Sequence, residues 1–371
     1  MDLVALEERH GGFYVPTFTV KVGGEDMLRD LFLAVSSVSV DLKERKAGHF
    51  AFTVVNAFDW STGQFAATRR RERVDLLELF AFGSTVEIAL GYGDPSKLTP
   101  MLTGVITEIT TDFGAGAAPE LSISGYDDLY PLTVGKRSQH WENEPDSTAV
   151  RDIVAALPGV DADVRVTSPV KARVDQNNET DLAFIDKLAE RNPSVTFYER
   201  DRTLYFGPRR HDTTQGVELA WGRGLLSFRP AVNLARQISE VRVHGWSVAD
   251  GRVITGRARR GDESGRDTRG RSGADRVFTA LAADKVLNVR AAVRDQAEAD
   301  ARARAILDER ARQFVEGEGE SIGLPELRPD TNVTITGLGP AFSKPYYVSE
   351  ATHRIDGGGY RTSFTIEEPT L

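Results

Sequence analysis

Apolar and polar residues alternate along much of the chain between Phe18 and Gly125. The apolar positions form five runs, which are Phe18, Val20 and Val22; Val38, Val40 and Leu42; Phe50, Phe52 and Val54; Val86, Ile88, Leu90 and Tyr92; and Leu121 and Ile123. A period of two puts the apolar side chains of a run on one face of a β-strand, and Gly, Asp or Asn clusters separate the runs. The first third of the chain therefore predicts antiparallel strands in a small β-barrel or sandwich.

The pattern changes to a helical period near Asp146. In "DSTAVRDIVAALPG", either Ser147 or Thr148 is suited to cap a helix N-terminus, and Pro158-Gly159 ends the pattern. Apolar residues recur on one helical face at Val150, Ile153, Val154 and Leu157. The segment therefore predicts a short amphipathic helix.

The stretch "QNNETDLAFIDKLAERNPSVTFYERDRTLYFGP", from Gln176 to Pro208, predicts a second helix followed directly by a hairpin. Thr180 is the expected N-cap, and Asp181 suits the positive end of the helix dipole. The expected apolar stripe of this helix is Leu182, Ile185, Leu188 and Ala189. The strand pattern that follows reverses around Glu199–Arg202, which predicts a hairpin. The aromatic side chains expected to cover the helices are Phe197, Tyr205 and Phe206.

Strand patterns return around Val241 and Val243, and the segment from Val333 to Ile366 predicts a β-meander. Between them, Gly256–Arg276 is rich in Gly and in charges of both signs, which is typical of a solvated loop. An Ala-rich helix of about 15–20 residues is expected after this loop. Its packing face is predicted to contain Ala297, Ala301, Ala305, Ile306 and Leu307.

Together these patterns predict a mainly β protein with an α+β insert. Two antiparallel β domains and a small helix-hairpin domain are expected, the first β domain being a barrel or sandwich. The predicted boundaries are 1–130 for the first β domain, 131–216 for the α+β insert, 217–250 with 326–371 for the second β domain, and 251–325 for an insertion with the Arg/Gly-rich loop and the Ala-rich helix. A β-rich unit near each end of the chain also suggests an internal duplication.

Composition narrows the possible functions. A chain of 371 residues is long enough for two or three domains, and the absence of Cys excludes disulfides, thiolate metal sites and Cys nucleophiles. The net charge of −9 argues against nucleic acid binding, because such proteins concentrate positive charge on the binding domain. No apolar run is long enough for a signal peptide or a membrane span, so we expect no membrane insertion by the chain itself.

No residue pattern indicates a metal, a cofactor or a catalytic nucleophile. The six histidines have no metal-ligand spacing and are His10, His49, His140, His211, His244 and His353. The Gly-rich pieces at Gly114 and Gly337 are expected to be turns between strands, since neither matches a complete phosphate-binding loop. We therefore expect no metal site, no cofactor and no catalytic residues.

One group of acids keeps an enzymatic alternative open. Glu142, Glu144 and Asp146 lie close together in "HWENEPD", and glycoside hydrolases need two carboxylates about 5–10 Å apart. Acids that lead into a helix also stabilise its dipole. Stabilisation of the helix dipole is the favoured interpretation of these acids.

Four residues are candidates for an interface. Trp60 in "NAFDWST" and Trp246 in "HGWSV" are possible exposed anchors, although buried tryptophans have the same appearance in sequence. Arg260 and Arg269 belong to the Arg-rich loop, where Arg260-Gly261-Asp262 also matches an integrin-type motif. The arginines of the loop could also form a patch that binds polyanions, but acids between them argue against both that patch and the motif. A solvated loop, or a loop that orders against a partner, is favoured.

Four segments of the chain together resemble one family. They are "ISGYDDLYPLT" from Ile123, the helix-hairpin stretch from Gln176, "VRVHGWSVADGRVI", and "GLGPAFSKPYYVSEATHRIDGGGYRTSFTIEE". The matching positions are Gln176, Asn178, Thr180, Asp181, Phe184, Leu188, Tyr347, Val348, His353 and the Gly357–Gly359 turn. In order and spacing these segments are similar to the phage late control protein D family, the central hub proteins of contractile phage baseplates. They are also similar to the hub portion of type VI secretion spike proteins and of extracellular contractile injection systems.

The resemblance implies a structural function without enzymatic activity. In such families each subunit carries two β-barrels of tail-tube type, so three subunits form a ring of six similar barrels. That ring joins a hexameric inner tube to a trimeric spike. The implied partners are two further copies of the chain, an inner tube or tube-initiator protein, a spike and other baseplate components. The helix-hairpin stretch is expected to brace the pair of barrels.

The resemblance covers phages, tailocins and extracellular injection systems alike. We expect synthesis in the bacterial cytoplasm and assembly into a virion tail or an injection particle. Because the chain ends at Leu371 directly after the meander, the spike is expected to be a separate protein. Two other functions stay open: a tail-associated cell-wall hydrolase that uses the acid cluster, and a receptor- or glycan-binding tail module that uses the Arg-rich loop and the tryptophans.

Overall fold

A thirteen-stranded sheet is the main feature of the described part of the chain. The structure, a computed structural model, describes residues 1–69, 71–114, 118–210, 216–247, 251–265 and 270–371. The predicted mainly β class is confirmed. Within these residues, every helix is too short or too polar to cross a lipid bilayer.

The first part of the chain forms one half of this sheet. The strands of this part are β1 (Pro16–Val22), β2 (Glu25–Asp26), β3 (Ala34–Lys43), β4 (His49–Val55), β5 (Phe58–Asp59), β6 (Gln64–Arg69), β7 (Glu72–Asp75), β8 (Thr85–Tyr92), β9 (Thr99–Asp112) and β10 (Glu120–Asp127). Of these, β5, β6 and β7 form a small sheet of their own. Its helices are α1 (Leu3–His10) and α2 (Leu76–Leu79). We call β1, β8, β9, β10, β4 and β3, which lie side by side in that order, the first strand unit.

The middle of the chain forms an α+β insert. Its helices are α3 (Tyr130–Thr133), α4 (Asp146–Ala155) and α5 (Asp181–Glu190). Its strands are β11 (Arg137–Glu144), β12 (Asp161–Val164), β13 (Lys171–Glu179), β14 (Val195–Arg200) and β15 (Thr203–Pro208). Two small sheets, β11-β13 and β12-β15-β14, pack with these helices around a separate core.

The last part of the chain contains a closed barrel and an insertion. The strands are β16 (Val217–Trp221), β17 (Gly224–Val232), β18 (Glu240–Ser247), β19 (Arg252–Arg259), β20 (Val286–Arg290), β21 (Val315–Ile322), β22 (Thr331–Thr336), β23 (Pro345–Asp356) and β24 (Gly359–Glu368). The helices are α6 (Gly273–Leu281), α7 (Gln296–Arg312) and α8 (Gly339–Phe342). We call β22, β16, β17, β21, β24 and β23 the second strand unit. It closes into a six-stranded barrel because β23 also pairs with β22.

The period-two pattern decides which face of each strand is buried. In β3, Val38, Val40 and Leu42 point into the first hydrophobic core, as predicted, and Ser39 lies on the other face. A second core lies in the α+β insert, a third in the second strand unit and a fourth between α7 and the sheet of β18–β20. Each part of the chain thus buries an apolar core of its own.

The two strand units share one strand order. In space, the strands of the first unit follow the order β3-β4-β10-β9-β8-β1, and those of the second unit follow the order β17-β21-β24-β23-β22-β16. Counted along the chain within each unit, both orders are second, third, sixth, fifth, fourth and first. This order makes β3 equivalent to β17, β4 to β21, β8 to β22, β9 to β23, and β10 to β24. The first strands differ in direction, since β1 is antiparallel to β8 whereas β16 is parallel to β22. The shared order supports an internal duplication.

The N-terminus of α4 differs from the prediction. Pro145 is the N-cap, and neither Ser147 nor Thr148 caps the helix. Ser147 is fully buried and exchanges two hydrogen bonds with Thr167, of 3.0 and 3.2 Å. The hydroxyl therefore fixes the loop at Thr167 to the first turn of the helix.

The helix α5 begins at its predicted N-cap. The Thr180 hydroxyl accepts a hydrogen bond from the Ala183 amide at 3.2 Å. The apolar stripe is shifted, because Phe184 is fully buried while Leu182 is only partly buried.

The predicted hairpin is present as β14 and β15, but one of its aromatic residues was placed wrongly. Phe197 and Phe206 lie in the core with α4 and α5. Tyr205 lies on the opposite face, where its ring stacks on Tyr198 at 5.1 Å. Adjacent residues of a strand point to opposite faces, so Tyr205 and Phe206 cannot both cover the helices.

The Ala-rich helix is present as α7, but its buried face is displaced by two residues from the prediction. The backbone of β19 at Gly256 approaches α7 so closely that a Cβ there would lie 2.1 Å from the backbone of Ala299. Ala297 and Ala301 are not buried, although Ala305 is. The buried alanine and leucine positions that share a face are Ala299, Ala303, Leu307 and Ala311.

The segment Gly256–Arg276 is not a loop throughout. Its beginning belongs to β19 and its end to α6. Between them, the buried Glu263 carboxylate accepts a hydrogen bond from the Ser272 hydroxyl at 2.9 Å. These elements were not predicted because charged residues dominate the segment. Its few apolar residues are buried only by contacts with distant parts of the chain.

Two elements pack with a different part of the chain than their sequence position predicts. The sequence assigned 217–250 to the second barrel, but β18 pairs with β19 and β20 in a separate sheet against α7. The helix α1 lies within 1–130, yet Leu6 is fully buried in the third core, in the second strand unit.

Candidate functional site at the junction of the strand units

The two strand units are joined by main-chain pairing between β3 and β23. The antiparallel register runs from Lys43 opposite Glu350 to Val38 opposite Ile355. The pairing places β9, β10, β4, β3, β23, β24, β21 and β17 side by side in one continuous surface. The junction therefore makes the sheets of both units into a single structural element.

Short hydroxyl side chains lie on the outer face of this surface. The Ser37 hydroxyl donates to Thr53 Oγ1 at 3.2 Å, and Thr53 Oγ1 lies 3.5 Å from Ser122 Oγ, so three adjacent strands are linked. In the second strand unit, Thr352 lies opposite Ser363. The outer face is therefore polar, and in the second strand unit Arg229, Glu320 and Glu350 line a groove of about 420 Å³ beside Thr352 and Ser363.

His353, on β23, is fully buried at this junction. Its Nε2 lies 2.9 Å from the Leu327 carbonyl oxygen, and its Nδ1 lies 3.0 Å from the Tyr360 hydroxyl and 3.1 Å from the Thr362 hydroxyl. A carbonyl oxygen only accepts, so Nε2 carries the proton and Nδ1 accepts. Burial, with the nearby Arg328 guanidinium, lowers the pKa of His353 to about 3. The ring is therefore neutral in the folded protein.

We expect the folded state to lose stability as the pH falls from about 6.5 towards 3. The unfolded His353 takes up a proton below its ordinary pKa of 6.5, whereas the buried ring stays neutral down to about 3. More protons bind to the unfolded state in this window, so the free energy of unfolding falls by at most about 1.4 kcal/mol per pH unit from this residue. Urea unfolding at several pH values measures the slope.

The variant His353→Gln should show a flatter pH dependence in this window, because Gln keeps a donor for Leu327 but does not titrate. His140 is exposed on β11, so His140→Gln is the matched control and should keep the original slope. Equal slopes for His353→Gln and the unchanged protein would contradict the assignment.

A buried polar cluster lies beside the junction. Glu44 follows β3, and its carboxylate forms a buried ion pair with Arg209, which follows the hairpin. The same carboxylate accepts hydrogen bonds from the Thr196 hydroxyl at 2.7 Å and the Tyr347 hydroxyl at 2.9 Å. Glu44 therefore connects the first strand unit, the α+β insert and the second strand unit.

Asp330 extends this cluster on the second strand unit. Its carboxylate accepts a hydrogen bond from the Tyr198 hydroxyl at 3.0 Å and from the Arg210 amide at 2.8 Å. The Tyr347 hydroxyl lies 3.1 Å from Asp330, so it can donate its single proton either there or to Glu44. Burial raises the pKa of Tyr347 well above its ordinary value, so its hydroxyl stays protonated.

The hairpin also reaches the first strand unit directly. Arg45 adopts a left-handed conformation with φ of 64°, and its amide donates to the Phe197 carbonyl at 2.7 Å. The Arg45 side chain bonds to Asp186 at 2.5 Å and to Glu190 at 3.0 Å, both on α5. One turn between β3 and β4 thus contacts both the hairpin and the helix that precedes it.

The predicted signature residues form two separate groups. Those of the helix-hairpin stretch have local roles: the buried Gln176 donates to Asp181 at 2.8 Å, Phe184 stacks on Trp141 at 5.6 Å, and Leu188 lies in the same core. Asn178 has a φ of 49°. Tyr347 and His353 lie apart from them at the β3–β23 junction. Their role as family signatures stays a prediction.

Two acids of the predicted cluster in "HWENEPD", Glu144 and Asp146, form contacts that hold neighbouring elements together. Asp146 is fully buried and forms a two-pronged ion pair with Arg191, one contact being 2.7 Å, while Asn192 donates to it at 2.8 Å. Glu144 accepts from the Thr148 hydroxyl. The group ties the beginning of α4 to the end of α5.

Two of the predicted interface residues are exposed aromatics. Trp60 is 71% exposed, and its ring contacts that of Phe58, which in turn contacts Phe113. Trp246 is 57% exposed and lines an open groove of about 870 Å³ with Val293 and others. Both are available to a partner.

The two arginines predicted at an interface have different outcomes. The Arg260 guanidinium lies 3.8 Å from the centre of the Phe278 ring on α6, so it packs against its own chain. Arg269 lies outside the described residues. In the parts of the chain that the structure describes, no three His, Asp or Glu side chains form a group suited to a metal ion.

The residues that join the parts of the chain were missed in the sequence. Glu44 has a signal that was available: it continues the alternation of Val38, Val40 and Leu42 by two residues and so takes an inward position. Arg209 is its buried partner, and Asp330 shares the Tyr347 hydroxyl with it. Neither has a comparable signal, because their contacts are far apart along the chain.

Comparisons with known proteins agree on the fold. A 43 kDa tail protein of prophage MuSo2 from Shewanella oneidensis is similar with a TM-score of 0.67 and 13% identity, covering 95% of this chain and 98% of that one. A tail protein from Neisseria meningitidis has a TM-score of 0.68 and 14% identity, covering 96% and 97%. A component of the type VI secretion system of Escherichia coli has a TM-score of 0.58 and 12% identity, covering 95% and 77%. At these identities the likeness concerns the fold alone.

The sequence comparisons give a family. No curated protein matches the chain. A family model described as the Alg8 N-terminal domain matches residues 14–357. This description differs from late control protein D, so that narrower resemblance stays a prediction. A model that matches nearly the whole chain shows membership, and this protein belongs to the Alg8 N-terminal domain family.

Proposed function

We propose that this protein is the structural baseplate hub of a contractile phage tail or a phage-tail-like injection system. It acts as a homotrimer that adapts a hexameric inner tube to a trimeric spike and has no catalytic role. The partners are an inner tube or tube-initiator protein, a spike and other baseplate components, as in hubs of the late control protein D type. The chain is made in the bacterial cytoplasm and assembled into the particle.

One observation carries this proposal: two strand units of identical order are joined edge to edge through β3 and β23. A trimer offers six near-equivalent surfaces to a hexameric tube only when each chain carries the surface twice. A rigid main-chain junction fixes the angle between the two surfaces. The fold likeness to a prophage tail protein, a second tail protein and a type VI secretion component supports the same function.

The division of the chain follows from this function. The first barrel domain spans about residues 1–130 and the α+β insert 131–216. We assign 217–232 with 315–371 to the second barrel domain and the residues between them to the insertion; the shared core of β18–β20 and α7 supports this assignment. The cluster of Glu44 and Arg209 lies where the α+β insert meets both strand units, so the insert braces the pair.

We expect electron microscopy of the purified particle to show three copies of the chain between tube and spike. Light scattering of the isolated chain at high concentration should give about three times the chain mass of 40.7 kDa. A different copy number, or a position away from the tube axis, would overturn the proposal. Peptidoglycan cleavage that disappears in Glu142→Gln or Glu144→Gln would favour a cell-wall hydrolase instead.

A further inference from the structure

We propose that copies of this chain join through their free strand edges, with β17 of one copy pairing antiparallel with β9 of the next. This pairing repeats between chains the β3–β23 junction that each chain contains. The inference rests on the proposed function in one respect, namely that copies associate. It adds the surface, the strand direction and the residue register.

The equivalence of β17 and β3 is supported by their irregularities. Against β4, the register of β3 shifts between Val35 and Ser37. Against β21, the register of β17 shifts between Leu225 and Ser227. The two strands therefore carry a bulge at the same place, which makes Ser227 the counterpart of Ser37.

The equivalence of β9 and β23 has the same kind of support. Against β10, the register of β9 skips Thr107, and against β24, the register of β23 skips Ser349. Aligned on these bulges, "TEIT" after Ile106 matches "SEAT" after Val348. Bulges are specific features of a fold, so this alignment relates the two strands residue by residue.

Both proposed edges are free within the described residues. On its side away from β21, β17 pairs with β16 only through Gly224 and Leu225. On its side away from β10, β9 pairs with β8 up to Val105, and Ile106 bonds to the backbone of the adjacent turn. The remainder of each strand presents unpaired main-chain groups, which favour the addition of another strand.

The internal junction fixes the register between copies. Val38 opposite Ile355 translates into Phe228 opposite Phe113 of the next copy. The other equivalent positions are Arg229 with Asp112 and Asn233 with Glu108 of the next copy. Opposite charges directly across a strand pair are favourable, so Arg229 and Asp112 suit this register.

Apolar side chains at the edges of β9 and β17 are exposed to solvent in a single chain. Ile355 is only 5% exposed because it packs into the core of the first strand unit across the junction. The equivalent position in the first strand unit is Phe113, which directly follows β9 and is 64% exposed. On the other edge Leu226 and Val232 are 44% and 40% exposed. A second copy in the proposed register covers apolar side chains that water now contacts.

Pro230 modifies the junction between copies. It has no N–H, so the edge of β17 offers one donor fewer than that of β3. Proline on an edge strand also limits pairing with unrelated strands. The junction therefore favours a partner of matching register over indiscriminate strand addition.

Disulfide trapping tests the register, and the absence of native Cys makes it specific. We expect the double variant Arg229→Cys with Asp112→Cys to give cross-linked products up to three copies on oxidation. The register-shifted pair Arg229→Cys with Thr110→Cys is the matched control and should give little. Ser39→Cys with Arg354→Cys, the equivalent pair inside one chain, should close an intrachain disulfide and so calibrates the geometry.

A charge exchange gives a second, non-covalent test. Arg229→Asp and Asp112→Arg should each weaken association in analytical ultracentrifugation, and the combined variant should restore it. Both positions are exposed, so the fold itself should tolerate the changes.

The outcomes separate this inference from the proposed function. The strand pairing is wrong if the protein is a trimer but the matched pair, Arg229→Cys with Asp112→Cys, gives no cross-link. It is also wrong if the shifted pair, Arg229→Cys with Thr110→Cys, cross-links equally well. Neither result contradicts the proposed hub function. A chain that stays monomeric at every concentration, with no cross-link between copies, overturns both. Restoration by charge exchange together with matched cross-links supports the proposed junction.

Discussion

Replacing Glu44 with alanine is expected to lower the free energy of unfolding by about 3–5 kcal/mol. The carboxylate is 6% exposed and its partner Arg209 is 3% exposed. Removing it leaves Glu367 as the remaining carboxylate beside the buried Arg209 guanidinium, and Arg312 also lies near Glu367. The hydroxyls of Thr196 and Tyr347 lose an acceptor at the same time. Urea unfolding followed by circular dichroism measures the change.

The adjacent ion pair provides the control. Lys43 and Glu350 also face each other across the β3–β23 junction, but both side chains are substantially exposed. Exposed pairs contribute only about 0–1 kcal/mol, so Lys43→Ala should change stability little. Because the Glu44 cluster joins three parts of the chain, we also expect Glu44→Ala to increase proteolysis between them. A loss below that of Lys43→Ala would show that the cluster does not hold the parts together.

The second large effect is expected for Asp146→Ala, at about 2–4 kcal/mol. Asp146 is fully buried and accepts hydrogen bonds from Arg191 and Asn192, which lie at the end of α5. Without the carboxylate, the Arg191 side chain, which is 22% exposed, regains only part of its hydration. We expect a lower melting temperature and weaker protection of amide hydrogens in α4 and α5.

Glu142→Gln is the matched control, because Glu142 belongs to the same sequence cluster but its side chain is 62% exposed. Its effect should stay within about 0.5 kcal/mol. This comparison also tests the hydrolase alternative. If Asp146→Ala left stability unchanged and instead abolished a cleavage activity, the structural interpretation of the cluster would be wrong.

Local patterns predicted most of the individual elements. The alternation of Val38, Val40 and Leu42 predicted both the strand and its buried face, because each side chain packs within its own sheet. Thr180 predicted the beginning of α5, because capping involves only neighbouring residues. Predictions were wrong where an element packs against a distant part of the chain. The buried face of α7 differs from the predicted one. The helix α1 packs through Leu6 against the second strand unit.

The candidate site was predicted only in part. Tyr347 and His353 were selected through a family resemblance, and the structure places both at the junction. Glu44 was missed, although its position in the alternation was visible, since an acid in an inward position is acceptable only when a distant partner is present. Arg209 supplies that partner from more than one hundred residues away.

The sequence by itself determined that this protein is mainly β, where most strands lie and where α5 begins. These properties depend on period, capping and turn residues, which act over a few positions. Only the tertiary structure decided that β3 pairs with β23 and that Glu44 meets Arg209. The same holds for the edges of β9 and β17, which are free of further strands in the part of the chain that the structure describes. Apart from proline, every residue type offers the same main-chain hydrogen-bonding groups, so strand partners at long range are selected by the packing of the whole chain.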